Sequence, residues 1–419
     1  DGGASYVGVV DSVTQRRERR YTLMGSLGSD ESGYFIVSRE GEALAGIFHA
    51  PADAFRAEMR FAGGGAHWLY KIDESGRQGC GGSPRAKVEG IRVLQGNDPE
   101  DREDDLHDDV GRATSCPPSQ PVHDYLVAYT DLSRAAAGGT DAIQAIVQTY
   151  VAWTSVAYAN SAINLRMRLV HCDEVVYDEV VPPGIDDPRE THLNRLTNPS
   201  DGIIDEVHGW RATYNADAVM LLLHTSSGGL GWCCADEDRA FAVMHWNNGA
   251  RILAHEFGHN QGCDHDPTNS VCGGCNAYSR AHFFVGDDLT TYGTIMSFQG
   301  LGIPHFSNPN VLYQGQPTGI ANQRDNARTI RERRYTIEGF ELTRFDVWVD
   351  FNAPGGLFQV GTPTYPYVWL IDGVNAVPQV QCSSEMPNLW IEAGTTPETL
   401  TVNKPMTLNA CGGTVRIGG

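Results

Sequence analysis

The sequence predicts an α/β core built on a mostly parallel twisted sheet, set between an all-β N-terminal region and a C-terminal β segment. Three observations predict it. Short apolar runs recur about every ten residues up to residue 96. Strand-like and helix-like periods alternate from residue 122 to residue 345. Strand-and-turn units without a helical period fill 346–419. A chain of 419 residues also exceeds what one hydrophobic core usually serves, so two or three domains are expected.

The first region, 1–96, reads as "SYVGVV", "YTLMGSL", "YFIVS", "ALAGIFH", "AFRAEMRF" and "AHWLYKI", divided by Gly, Asp and Ser clusters. It ends in "GRQGCGGSP", a Gly-rich loop around Cys80. The block "DPEDREDDLHDD" follows with eight acids and one Arg. Such a block repels itself, so 97–121 reads as a solvated linker. The core opens on the strand "VHDYLVAYT". A long helix follows, in which Ile143, Ile146, Tyr150, Trp153 and Ala157 recur at helical spacing behind Thr140 as a plausible cap. "INLRMRLVHC" is a strand, "IIDEVHGWRATY" a helix, and "DAVMLLLHT" a central strand buried on both faces. "RAFAVMHW" is a further strand, and "GARILAHEFGHNQG" a helix ended by Gly262. The last region reads as "DVWVDFNAPG", "YVWLIDGV", "NLWIEAGT", "ETLTVNKPMTLNAC" and "GGTVRIGG", all as strands and turns.

Composition narrows the function classes. No apolar run approaches the ~18 residues of a membrane span, and a net charge of −21 argues against nucleic acid and anionic membrane surfaces. The start at Asp1, with neither initiator Met nor signal peptide, implies a processed or truncated N-terminus. Ten cysteines, clustered at Cys233–Cys234 and at Cys263, Cys272 and Cys275, suit disulfides in an oxidising space, and so a secreted protein. A structural zinc site on Cys272 and Cys275 is the weaker reading, because no second CxxC stands at suitable spacing.

The stretch "AHEFGHNQGCDHD", 254–266, carries the chemistry. Residues i and i+4 of a helix stack on one face, so His255 and His259 aim at one point. Glu256 stands about 100° round the helix, within reach of a water on a metal there. Gly262 accepts a left-handed backbone and returns His265 as a third ligand, which leaves one position for water. A bare HExxH arises by chance; the added offsets of Gly262, His265 and Asp266 make accident remote.

That stretch resembles the long zinc motif of the metzincin clan, and Asp266 resembles its adamalysin/reprolysin branch. "YGTIMSF" is similar to the metzincin Met-turn, with Met296 as its methionine. "LTNPSDGIIDEVH", "IPHFSNPNV" and "DNARTI" resemble secreted bacterial reprolysin-like proteases, so the likeness covers 122–345. It implies a zinc endopeptidase with one catalytic zinc on His255, His259 and His265, and Glu256 as general base. Zinc would lower the pKa of a water towards ~7 for attack on a peptide carbonyl, and Glu256 would carry its proton to the leaving amine. Gly262, Asp266 and Met296 become structural. Phe298 occupies the place of a tyrosine in astacin and serralysin relatives, so oxyanion stabilisation falls to zinc and main-chain donors. The substrate, a protein or peptide, would lie along "FAVMHW" as an edge strand, with "GIPHFSN" walling the pocket on the leaving-amine side.

The remaining features carry less. His224, His245, His282 and His305 are lone histidines that read as surface or packing residues. The acidic clusters could hold calcium, but no EF-hand or nonapeptide pattern assigns it. The first region resembles a protease propeptide, the chain's own inhibitor; the rival is a substrate-binding β domain. Its Cys80 would block zinc in a latent form, or else form a disulfide, most simply with Cys116. The last region resembles the opening rungs of bacterial parallel β-helices. The alternative to a protease is a non-cleaving adhesin built on the same domain, against which an intact Glu256 stands beside three intact ligands.

Overall fold

The computed structural model describes residues 6–28, 33–51, 55–72, 120–341, 345–354, 359, 361–363 and 365–418. The acidic block, Cys80 and Cys116 lie outside the described residues. The first region folds as six strands, β1 (Gly8–Arg17), β2 (Arg20–Leu27), β3 (Tyr34–Glu40), β4 (Ala43–Ala50), β5 (Phe55–Gly63) and β6 (Ala66–Lys71), each antiparallel to the next. Alternation explains the arrangement: in β3, Phe35, Val37 and Arg39 face one way and Ile36, Ser38 and Glu40 the other.

Next come β7 (Val122–Thr130), α1 (Asp131–Ala137), α2 (Thr140–Asn160), β8 (Arg166–Val175), α3 (Pro188–Thr197), α4 (Glu206–Tyr214), β9 (Ala218–Leu223), β10 (Gly229–Gly231), β11 (Phe241–His245) and α5 (Ala250–Asn260). The strands form a five-stranded sheet in the order β10-β11-β9-β7-β8. Its strands pair in parallel except β10, which runs antiparallel to β11. Every residue of β7 and β9 is buried, which is why both read as continuous apolar runs. The architecture is mixed α/β.

Long α2 is buried over 14 of its 21 residues because it is covered twice. Ile143, Ile146 and Tyr150 share a core with Tyr125 and Val127 of β7, and the same core takes in Ile36, Ala43, Ala45 and Ile47 of the first sheet. Polar pins join that sheet to α2: Trp153 Nε1 donates to Tyr34 Oη at 2.8 Å, and Arg60 Nη2 to Tyr150 Oη at 2.9 Å. The first sheet and residues 120–343 belong to one compact unit. A disulfide between Cys172 and Cys382 ties 381–385 into it as well.

Several sequence expectations need correction. Thr140 is the first residue of α2, not its cap; Gly139 precedes it at φ 120° without a side-chain cap bond. Helices α1 and α3 were not expected. For α3 the signal was present, since Asp187 caps Arg189 N and Pro188 takes the first turn. After α5 come β12 (Phe283–Val285), β13 (Thr291–Gly293), β14 (Leu301–Gly302), β15 (Leu312–Tyr313), β16 (Gln316–Pro317) and α6 (Asn326–Glu338).

The second unit comprises, among the described residues, most of 345–380 and 386–418. Here β17 (Asp346–Val349), β18 (Asn388–Thr396) and β19 (Thr407–Ile417) pair in parallel, and Trp348 stacks on Trp390 in register at 6.4 Å. Between β17 and β18 lies α7 (Leu370–Ala376), where a strand-and-turn unit was expected. Its run "WLIDGV" is too short for period to decide. Packing decides instead: Leu370 and Val374 bury against Val349 and Leu389.

Candidate metal centre

Helix α5 starts where Gly249, at φ 87°, turns the chain out of β11, and ten of its eleven residues are buried. His255 and His259 share one face. After Asn260 the helix stops, and Gly262 takes φ 99°, as its neighbours require. A Cβ there would run into Cys275 Sγ, and Cys263 N closes the turn on Gly258 O at 2.8 Å. The chain doubles back and delivers His265. Disulfides Cys233–Cys272 and Cys234–Cys275 clamp this return, so Cys272 and Cys275 form no zinc site of their own. Cys263 between them is a buried thiol.

His265 Nε2 lies 3.0 Å from both His255 Nε2 and His259 Nε2. The other nitrogen of each ring faces a carbonyl: His255 Nδ1 meets Ile295 O at 2.9 Å, His259 Nδ1 Cys263 O at 3.0 Å, and His265 Nδ1 Asn269 O at 3.0 Å. A carbonyl only accepts, so each Nδ1 carries the hydrogen and each Nε2 presents a lone pair. Three lone pairs face one another in a buried space. Protonation does not relieve them, because burial lowers all three rings from the usual histidine range, with neighbouring imidazoles adding to it at His255 and His259, and His259 brought to about 3. A shared cation does. Three neutral imidazoles suit zinc, and the residues present fit it.

Glu256 is buried beside this triad, against β10. A Cβ at Gly229 would lie 2.7 Å from the Glu256 carboxyl carbon, so the missing side chain there makes room for the carboxylate. Gly229→Ala is therefore expected to displace Glu256 and lower peptide hydrolysis by about 100-fold, the scale of an ångström misplacement, with zinc content unchanged. Parallel measurement of kcat/KM and bound zinc checks this; unchanged hydrolysis would show the carboxylate tolerates the shift.

Two aspartates shape the return loop. Asp266 Oδ1 accepts from Thr268 Oγ1 at 2.5 Å and Asn269 Nδ2 at 2.9 Å, while Oδ2 accepts from Phe298 N at 3.3 Å. It thus ties the third histidine to the Met-turn. Sequence reasoning missed Asp264, which accepts from His265 N at 2.8 Å, Ser270 Oγ at 2.7 Å and Gly273 N at 2.9 Å, and pairs with Arg280. The only sequence signal was an acid beside a candidate ligand. Met296 lies buried under α5, where Gly258 allows it: a Cβ there would come 2.6 Å from its sulfur. The Phe298 ring sits 4.3 Å from that of His265 and 5.9 Å from that of His255.

The four lone histidines stay outside the triad. His282 Nδ1 lies 2.8 Å from Arg324 Nη1, His305 packs on Tyr313, and the rings of His224 and His245 are 6.1 Å apart. The expected substrate strand also needs correction. β11 is internal, with β10 on one side and β9 on the other, and the outermost strand beside the site is β10. A three-residue "GLG" strand leaves no periodic signal, whereas "FAVMH" reads strongly because it is buried on both faces.

Residues 119–305 match the family described as metallo-peptidase family M12. The chain is 28% identical over 352 residues to a Peptidyl-Asp metalloendopeptidase of Stenotrophomonas maltophilia, covering 81% of this chain and 78% of that protein. It is also 28% identical over 327 residues to a Peptidyl-Asp metalloendopeptidase of Xanthomonas campestris pv. campestris, covering 75% of this chain and 71% of that one. Among solved structures, a metalloproteinase-II from Bacteroides fragilis aligns with 10% identity and a TM-score of 0.33, over 62% of this chain and 77% of that chain.

Proposed function

Because this chain is a metzincin-like zinc metalloendopeptidase, we propose that it is a secreted proenzyme that hydrolyses peptide bonds beside aspartate, with His255, His259 and His265 holding one zinc and Glu256 acting as general base. The observation that carries the reading is the meeting of three Nε2 lone pairs, with His265 Nε2 3.0 Å from each of the other two, and a carboxylate on the same helix. Zinc at that point supplies Lewis-acid polarisation and a water of lowered pKa.

The chain's own residues do the rest. Glu256 takes a proton from the attacking water and passes it to the leaving amine. Carbonyls of Ile295, Cys263 and Asn269 hold the imidazoles in the ligating tautomer. Gly262, Asp266 and Met296 keep the third ligand and the floor in place. An extended peptide would lie along β10, whose Gly229 abuts Glu256. The aspartyl preference is taken from what the relatives' names say of those proteins.

Residues 1–96 would be the propeptide, 97–121 its linker, 122–345 the protease domain and 346–419 an accessory β segment. Latency belongs to this proposal through the likeness of the first region to a protease propeptide. The zinc-blocking role of Cys80 belongs to the same proposal. Secretion is supported by the three disulfides among the described residues, and no helix among those residues is long and apolar enough to cross a membrane.

The test is digestion of a proteome-derived peptide library by the zinc-loaded full chain, before and after limited proteolysis, read by mass spectrometry. Cuts flanking aspartate, silenced by a chelator and increased by processing, are expected. Cleavage that ignores the chelator would sink the zinc mechanism.

A further inference from the structure

We propose that the first sheet, β1 to β6, is a permanent part of the peptidase: it stays seated on α2 when the linker is cut, and it fixes the start of α5 through Arg60. This rests on the peptidase and propeptide readings above and changes what processing does. Activation then needs a cut in the chain but no departure of the sheet.

The surface is one core shared by two stretches of chain. Ile36, Ala43, Ala45 and Ile47 are at most 5% exposed and lie in the same core as Ile143 and Ile146 of α2. The fit is close: a Cβ on Gly41, in the turn between β3 and β4, would lie 2.2 Å from Asp141 Oδ2 in the first turn of α2. Three neighbours on α2 also bond to the sheet. Thr149 Oγ1 lies 3.3 Å from Ala45 O, and Tyr150 and Trp153 meet Arg60 and Tyr34. Interfaces that resemble a core cut in half belong to obligate partners, whereas partners that come apart meet through more polar patches.

The polar contacts lead on to the site. Glu58 and Arg60 stand two apart on β5, so they share a side of the sheet, and they form a buried ion pair. Arg60 Nη2 also donates to Tyr150 Oη at 2.9 Å. The same hydroxyl accepts from Gly249 N at 3.1 Å. A phenol oxygen offers two lone pairs, and here one goes to each side. Gly249 is where the chain enters α5, a helix without a side-chain cap bond. Tyr150 alone therefore links the first sheet to the start of the helix that carries His255, Glu256 and His259.

A second contact from the same side of β5 reaches the Met-turn stretch. Arg56 Nη2 donates to Gly302 O at 2.9 Å, and Gly302 pairs with Gly293, three residues before Met296. Neither bond touches a histidine of the triad. A plug that only filled the cleft would need neither. Both hold the framework on which the triad stands, which is work that an active enzyme needs as much as a latent one.

The test uses the full chain with a site-specific protease sequence inserted within 97–121. It also carries Cys80→Ser and Cys116→Ser, so that no bond between those cysteines can hold the pieces. After complete cutting, gel filtration and native mass spectrometry should show both pieces in one particle. Pieces that separate, or hydrolysis that appears only once the first piece has been removed, overturn the proposal. The second arm is Glu58→Gln/Arg60→Met, which removes the buried ion pair as a unit. Its kcat should fall by about 10-fold, part of what an ångström of misplacement costs, with KM within about twofold. Arg60→Lys, which keeps a donor for Tyr150 Oη, should retain most of the parental kcat. A folded double variant with parental kcat overturns the positioning by Arg60. If that variant does not fold, Tyr150→Phe, which keeps the ring and removes only the hydroxyl, decides by the same readout. Pieces that stay together in a chain that cleaves nothing would sink the peptidase reading alone, since association is measured without turnover.

Discussion

Glu256→Gln is expected to lower peptide hydrolysis by roughly two or more orders of magnitude, the scale of lost general acid–base catalysis, while zinc stays bound. Glutamine has the shape of glutamate, so the pocket against Gly229 stays filled and the three imidazoles keep their carbonyl partners. What is lost is the ability to accept a proton. Stability should not suffer, because the side chain is fully buried and a neutral amide costs less to bury than a carboxylate. Steady-state kinetics, zinc content and melting temperature on one preparation check all three. A variant that cuts as fast as the parent would remove Glu256 from the mechanism.

The second large effect is loss of the metal. Purified protein should carry about one zinc per chain, and chelation should abolish hydrolysis and lower the melting temperature by several degrees. A ligand present at a hundred times its dissociation constant stabilises by about 2.7 kcal/mol, and here its removal also leaves three buried lone pairs facing one another. The loss should deepen with acid. All three rings have folded-state pKa values below the ordinary histidine value, so below about pH 6.5 the unfolded chain takes up protons that the folded one refuses. Stability is therefore present at neutral pH and falls as pH drops towards 3, with metal affinity falling alongside because ligation needs the neutral rings. Calorimetric melts of loaded and chelated protein across that range test the sign. A chelated protein with unchanged melting temperature and activity would end the zinc reading.

How much could be read beforehand followed the range of each interaction. The spacing of His255 and His259, the left-handed turn at Gly262 and the strands β7 and β9 are set by neighbours within a few residues, through the helical period, a glycine's freedom and a run of apolar side chains. Those were legible. So was the alternation of strand and helix that makes the core α/β. The strand β10 was not, since three residues carry no period. Nor was α7, whose short apolar run suits helix or strand until Val349 and Leu389 receive it.

By itself, then, the sequence determined the identity of the candidate ligands, the candidate base beside them and the alternation of elements, because each is written in spacings of one to ten residues. Only the tertiary structure decided how they meet. It brought Cys233 and Cys234 onto Cys272 and Cys275 to clamp the loop bearing His265. It put Gly229 against Glu256, covered α2 with a second sheet, and laid Arg251 between the Met-turn and Gly302. Each of these joins residues tens to over a hundred positions apart. Such contacts form only when many side chains are packed at once, and no local period records them.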